Sequence, residues 1–127
     1  EEEEEVVVED VPFMIIEEAP LYPGCKGTNL ERKKCFSDQI SKFVAVNFKA
    51  DLAQDIGLQS GSVQRIFVMF KIDKNGDIVD VMARAPHKTL ENEAIRVINK
   101  LPKMTPGKQR GKPVGVKYSL PITFRIE

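Results

Sequence analysis

The strongest constraint on the fold lies in the last quarter of the chain. It runs Leu101-Pro102-Lys103-Met104-Thr105-Pro106-Gly107-Lys108-Gln109-Arg110-Gly111-Lys112-Pro113 and then alternates strictly. Val114, Val116, Tyr118, Leu120, Ile122 and Phe124 share one parity; Gly115, Lys117, Ser119, Pro121, Thr123 and Arg125 share the other. Side chains of a strand alternate between two faces, so this is a half-buried strand entered from a Pro/Gly/Lys-rich turn. Pro121 has no N–H to give to a ladder, which confines it to an edge or a bulge. The strand over residues 114–126 is therefore expected to form an open sheet edge, a place where another strand docks. In an antiparallel ladder each residue turns both backbone groups to one neighbour, and successive residues serve opposite neighbours. Placing Pro121 on the outer side makes Lys117, Ser119, Pro121, Thr123 and Arg125 the outward set, with one donor lacking. Leu120, Ile122 and Phe124 then face the core.

The rest of the chain supplies partners for this strand. Val63 to Ile72 reads as a strand with Ile66, Val68, Phe70 and Ile72 on one face. Phe67 and Met69 make its other face apolar too, which suits a central position. Asp73-Lys74-Asn75-Gly76 reads as a hairpin turn, and Asp77 to Ala83 as the returning strand. Thr28-x-x-Glu31 has capping-box spacing and starts a first helix near Asn29, ending near Phe48–Ala50, with its best apolar stripe from Phe36 onward. Leu30 is included in that loose stripe, and Leu52 and Ile56 suit a further short turn. Thr89 is expected to cap a second helix, with Glu91 and Glu93 favouring its dipole, Leu90, Ala94, Val97, Ile98 and Leu101 forming one stripe, and Pro102 stopping it. The expected fold is α+β: a three-stranded antiparallel sheet, order 2-1-3, with both helices on one face. Residues 1–11, acidic at the start with Val6-Val7-Val8 behind, read as the end of a linker or a loosely added strand; residues 1–19 together make an acidic linker end or N-terminal extension, and residues 20–127 the domain. Within the extension, Pro12 to Ile16 is an apolar run suited to packing on the domain or pairing as a strand.

At 127 residues there is room for one domain. Lys plus Arg and Asp plus Glu number 19 each, yet the acids crowd the first ten residues and the bases crowd residues 100–117. That asymmetry admits an anionic partner or a plainly solvated loop. Zero net charge without aromatic–basic interleaving argues against nucleic acid. No apolar run approaches the roughly 18 residues of a membrane span, and the chain, which begins without Met, reads as a fragment of something longer.

Catalytic and metal chemistry find little purchase. The serines lack an elbow motif, His87 is the only histidine, and no glycine loop has phosphate-cradling spacing. Asp73, Asn75 and Asp77 resemble the start of a calcium loop, but glycine comes at the fourth position and Arg84 stands where a bidentate Glu belongs. A non-enzyme without metal or cofactor is expected. Cys25 and Cys35 are too far apart for a C-x-x-C motif; they are either two buried thiols or one short disulfide. The Pro23-Gly24-Cys25-Lys26-Gly27 turn favours the bridge, which implies an oxidising compartment.

In order along the chain come Leu21-Tyr22-Pro23-Gly24, Val68-x-Phe70-x-Ile72, Asp73-x-Asn75-Gly76, Glu93-Ala94-Ile95 and Leu101-Pro102-Lys103-Met104. Pro106-Gly107-Lys108-Gln109-x-Gly111-Lys112-Pro113-Val114 and Tyr118-x-Leu120-Pro121-Ile122-x-Phe124 follow. This ordered set resembles the C-terminal domain of TonB energy transducers of Gram-negative bacteria, in the form common in Bacteroidota. The resemblance departs at Met104, where the family usually has an aromatic, and over Ala50 to Ser62. It implies a periplasmic domain that binds the TonB box of TonB-dependent outer-membrane transporters by strand addition. It also implies an inner-membrane helix and a long linker upstream, through which the motor proteins ExbB and ExbD would deliver proton-driven force; membrane contact would come only through that helix. Two alternatives carry different functions: a TonB-like interaction module of a membrane-bound sensor peptidase, and a small disulfide-bonded periplasmic scaffold.

Overall fold

The structure is a computed structural model and describes residues 10–126 except Ile56. The Val6-Val7-Val8 run and Ile56 lie outside the described residues. Two long helices and a one-turn helix combine with a mixed sheet of four strands. In chain order the elements are β1 (Asp10–Pro12), α1 (Asn29–Asn47), α2 (Leu52–Asp55), β2 (Val63–Ile72), β3 (Ile78–Arg84) and α3 (Lys88–Ile98). They continue with β4 (Lys108–Gln109), β5 (Lys112–Pro113) and β6 (Gly115–Arg125).

The sheet order is β1-β6-β2-β3, with a separate β4–β5 hairpin. The three antiparallel strands β6, β2 and β3 stand in the expected order, and β2 is central. The expectation of three strands was one strand short. β1 pairs parallel to the start of β6, Asp10 beside Gly115 and Pro12 beside Lys117. Two buried side chains hold this short strand in place. Val11 is buried, and Phe13 enters an aromatic cluster with Phe36 (4.9 Å between ring centroids) and Tyr118 (4.8 Å, edge-on). Val11, Phe13, Ile16 and Ala19, from the N-terminal extension, are buried in the same core cluster as the helices and sheet.

Local chemistry accounts for the helices. Thr28 and Glu31 form the capping box of α1, each side chain answering the other's backbone N–H. Phe36, Ile40 and Val44 are its buried stripe, while Leu30, at the first turn, is exposed. α3 begins one residue before Thr89, with His87 as a cap that makes no side-chain bond. Its stripe of Leu90, Ala94, Val97 and Ile98 is buried, as is Leu101 beyond it. Both long helices cover the same sheet face, α1 over β6 through Phe36–Tyr118 and Phe48–Phe124 contacts and α3 over β2 and β3.

Cys25 and Cys35 form a disulfide, Cα to Cα 5.9 Å, tying the entry turn to the first half of α1. Closing so short a loop stabilises by about 2–3 kcal/mol in the chain-entropy picture. At the hairpin turn, Gly76 has positive φ and receives the Met104 N–H on its carbonyl at 2.9 Å. A Cβ there would run into the Met104 carbonyl, so the turn and the Leu101–Met104 loop dock backbone to backbone only because this residue is glycine.

Candidate partner-binding edge

The geometry of β6 follows from its pairing with β2, which runs in unbroken register from Val63 beside Arg125 to Ile72 beside Val116. Val116, Tyr118, Leu120 and Ile122 are buried under the helices and Phe124 is half-buried, whereas Lys117, Ser119, Pro121, Thr123 and Arg125 are exposed on the other face. Tyr118 anchors the strand. Its ring meets Phe13, Phe36 and Phe70, and its hydroxyl donates to Ser37 Oγ at 2.9 Å. Burial is the main reason its phenol titrates above its ordinary value.

Backbone direction decides what the outer edge offers. The Phe13 N–H donates to the Lys117 carbonyl at 2.9 Å from the β1 side, so Lys117 turns its backbone outward. By the alternation of the ladder, Ser119, Pro121, Thr123 and Arg125 do the same. The missing N–H of Pro121 thus falls where no ladder to β2 is broken. The expectation of an edge open from residue 114 needs correction at its start: β1 covers Gly115 to Lys117, and the chain itself satisfies the Lys117 carbonyl. A three-residue strand beginning at the end of an acidic stretch and containing proline gave little signal. Past Phe13 the chain turns away, and Met14 and Ile15 stand exposed at the turn. Among the described residues nothing pairs with the outer side of Ser119 to Arg125.

Beside this free edge, on the helix side, lies a groove of about 510 Å³. Val44 and Ala45 of α1, with Phe48 just past its end, form one wall; Leu120, Ile122 and Phe124 form the other. The opposite, helix-free face of the sheet also carries apolar surface: Phe67, Met69 and Met82 are exposed, 61% in the case of Phe67. Phe67 and Met69 thus mark a central strand whose second face has no covering layer among the described residues.

Three other groups settle into structural roles. Asp73 accepts the N–H groups of Asn75 and Asp77 on one carboxylate oxygen at 2.9 Å each, an Asx turn that shapes the hairpin. Glu93 is not a first-turn residue of α3 but a buried one. It takes Arg96 Nε on one oxygen and Arg96 Nη2 on the other, both at 2.6 Å, and the Lys49 N–H at 2.8 Å. Arg96 also donates to the Asn47 carbonyl at 2.9 Å, so the pair pins α3 to the end of α1. Periodicity does mark Glu93: three residues after Leu90 and four before Val97, it falls on the buried stripe of α3, where an acid needs a partner, and it also stands in the Glu93-Ala94-Ile95 motif. In the basic loop, Glu17 accepts the Arg110 N–H at 3.0 Å and Lys103 faces Asp77 at 3.9 Å. No group of three or more His, Cys, Asp or Glu among the described residues is placed to hold a metal ion.

The family model for the Gram-negative bacterial TonB protein C-terminal region matches residues 58–126, which takes in β2, β3, α3 and β6 whole. No curated protein matches the chain.

Proposed function

Because the chain belongs to the family of Gram-negative bacterial TonB protein C-terminal domains, we propose that its free β6 edge takes up the TonB box of outer-membrane transporters as an added strand. Domains of this family are periplasmic and interact with outer-membrane transporters. The observation that carries the reading is the unpaired outer side of Ser119 to Arg125, with three N–H donors and four carbonyls turned outward on a strand anchored in the core. The Cys25–Cys35 bridge supports an oxidising compartment such as the periplasm. An added strand pulled along its own axis loads its hydrogen bonds in shear, so all of them share the force. That suits a domain which transmits a pull from the inner membrane, where an upstream part of the protein would meet ExbB and ExbD. Recognition through main chain also suits a partner set of several transporters.

Thr123→Pro tests this reading. It removes one outward donor, and it leaves the β2 ladder intact because Thr123 does not turn its N–H inward. Affinity for a transporter TonB-box peptide should fall at least tenfold in a fluorescence anisotropy titration, with the melting temperature close to wild type. Unchanged affinity would contradict binding at this edge.

A further inference from the structure

We propose that the groove between α1 and β6 reads the side chains of the added strand, admitting segments whose alternate residues are aliphatic and refusing charge at those positions. The inference rests on the edge reading and says which segments the edge accepts. A strand laid along Ser119 to Arg125 spans roughly 20 Å and sends every second side chain to the helix side, with about 7 Å between them. Those side chains enter the space walled by Val44, Ala45 and Phe48 on one side and Leu120, Ile122 and Phe124 on the other.

The walls decide the chemistry. The groove lining holds no charged residue; Ser41 is the hydroxyl residue on its helix wall, and Thr123 borders it from the strand, its side chain facing the helix-free side. A carboxylate or ammonium brought there would lose water and gain no partner, whereas a valine or isoleucine would bury its surface favourably. The other set of side chains meets a different surface. On the helix-free side the edge shows Ser119, Thr123, Lys117 and Arg125, all exposed, so polar or acidic residues are accepted there. The occupant is therefore an extended segment with aliphatic residues at alternate positions and polar or acidic residues between. Its length is limited at one end, where the Phe13 N–H already holds the Lys117 carbonyl and the chain turns off through Met14 and Ile15.

Two blocked heptapeptides of identical composition and charge test this. One alternates glutamate and valine, beginning and ending on glutamate. The other orders them Val-Val-Glu-Glu-Val-Glu-Glu, so that every register puts a carboxylate in the groove. Titrated into the wild-type domain by calorimetry, the alternating peptide should bind at least tenfold tighter. Ala45→Lys, an exposed position on the groove wall, should reduce that ratio to near one, and Ser41→Lys should act in the same direction if Ala45→Lys unsettles the helix. Thr123→Pro should weaken the alternating peptide. Equal binding of the two peptides to wild type, still weakened by Thr123→Pro, would overturn the groove inference and leave edge binding standing. Equal binding indifferent to Thr123→Pro, or no binding of either peptide, would overturn both.

Discussion

At the scale of single residues, Glu93 and Arg96 show how a motif residue can serve the fold. The Arg96 hydrogen bonds, more than any other influence, hold the Glu93 carboxyl below the usual glutamate range, against its burial, with the Lys49 N–H adding to the effect. A depressed pKa in the folded state means stability that is full above the unfolded value of about 4.3 and fades as pH falls through the folded one. The Arg96 side chain is 32% exposed, so water weakens the pair's worth. Glu93→Gln should lower stability at pH 7 by about 1–2 kcal/mol. In urea titrations from pH 7 to pH 3 the gap between variant and wild type should narrow as the wild-type carboxyl takes up its proton. A gap constant across that range would mean that the charge on Glu93 is not what matters.

At the scale of elements, strongly periodic segments were legible and weakly patterned ones were not. The stripe of α3 and the alternation of β6 each carry enough apolar residues at one spacing to name the buried face, and the buried residues are those. The N-terminus of α3 was misjudged because Thr89 has the right chemistry for a cap, yet His87 stands at that position without a side-chain bond. Leu30 was misjudged because, six residues before Phe36, it falls off the helical face that Phe36, Ile40 and Val44 share, and it is exposed. β1 stood only as one alternative, a loosely added strand, and outside the expected sheet, because its stability comes from tertiary contacts of Val11 and Phe13, which local propensity does not encode. The stripe of α3 yields a sharp expectation. Val97 is fully buried, so Val97→Asp should cost about 3–5 kcal/mol by burying an unpaired carboxylate. A thermal melt indistinguishable from wild type would show that this face does not carry the packing.

At the scale of the whole molecule, the architecture divides into a sealed side and an offered side. One sheet face is closed by α1 and α3, and the far edge of β3 ends the sheet. The chain closes the start of the β6 edge with its own β1 and leaves the remainder, beside the groove, unpaired among the described residues. The direction of the β6 backbone was readable from Pro121 alone, because a residue without an N–H has only one comfortable orientation in a ladder. The length of the free edge was not, since it depends on a parallel pairing between the two ends of the chain. The central claim is that the partner enters as a strand along this remainder. Amide hydrogen exchange followed by NMR, with and without a transporter TonB-box peptide, tests it most directly. New protection is expected at the N–H groups of Ser119, Thr123 and Arg125, with Val116 and Ile122, already paired to β2, little changed. Protection confined to the Asp73–Gly76 hairpin, with those three amides exchanging as before, would contradict it.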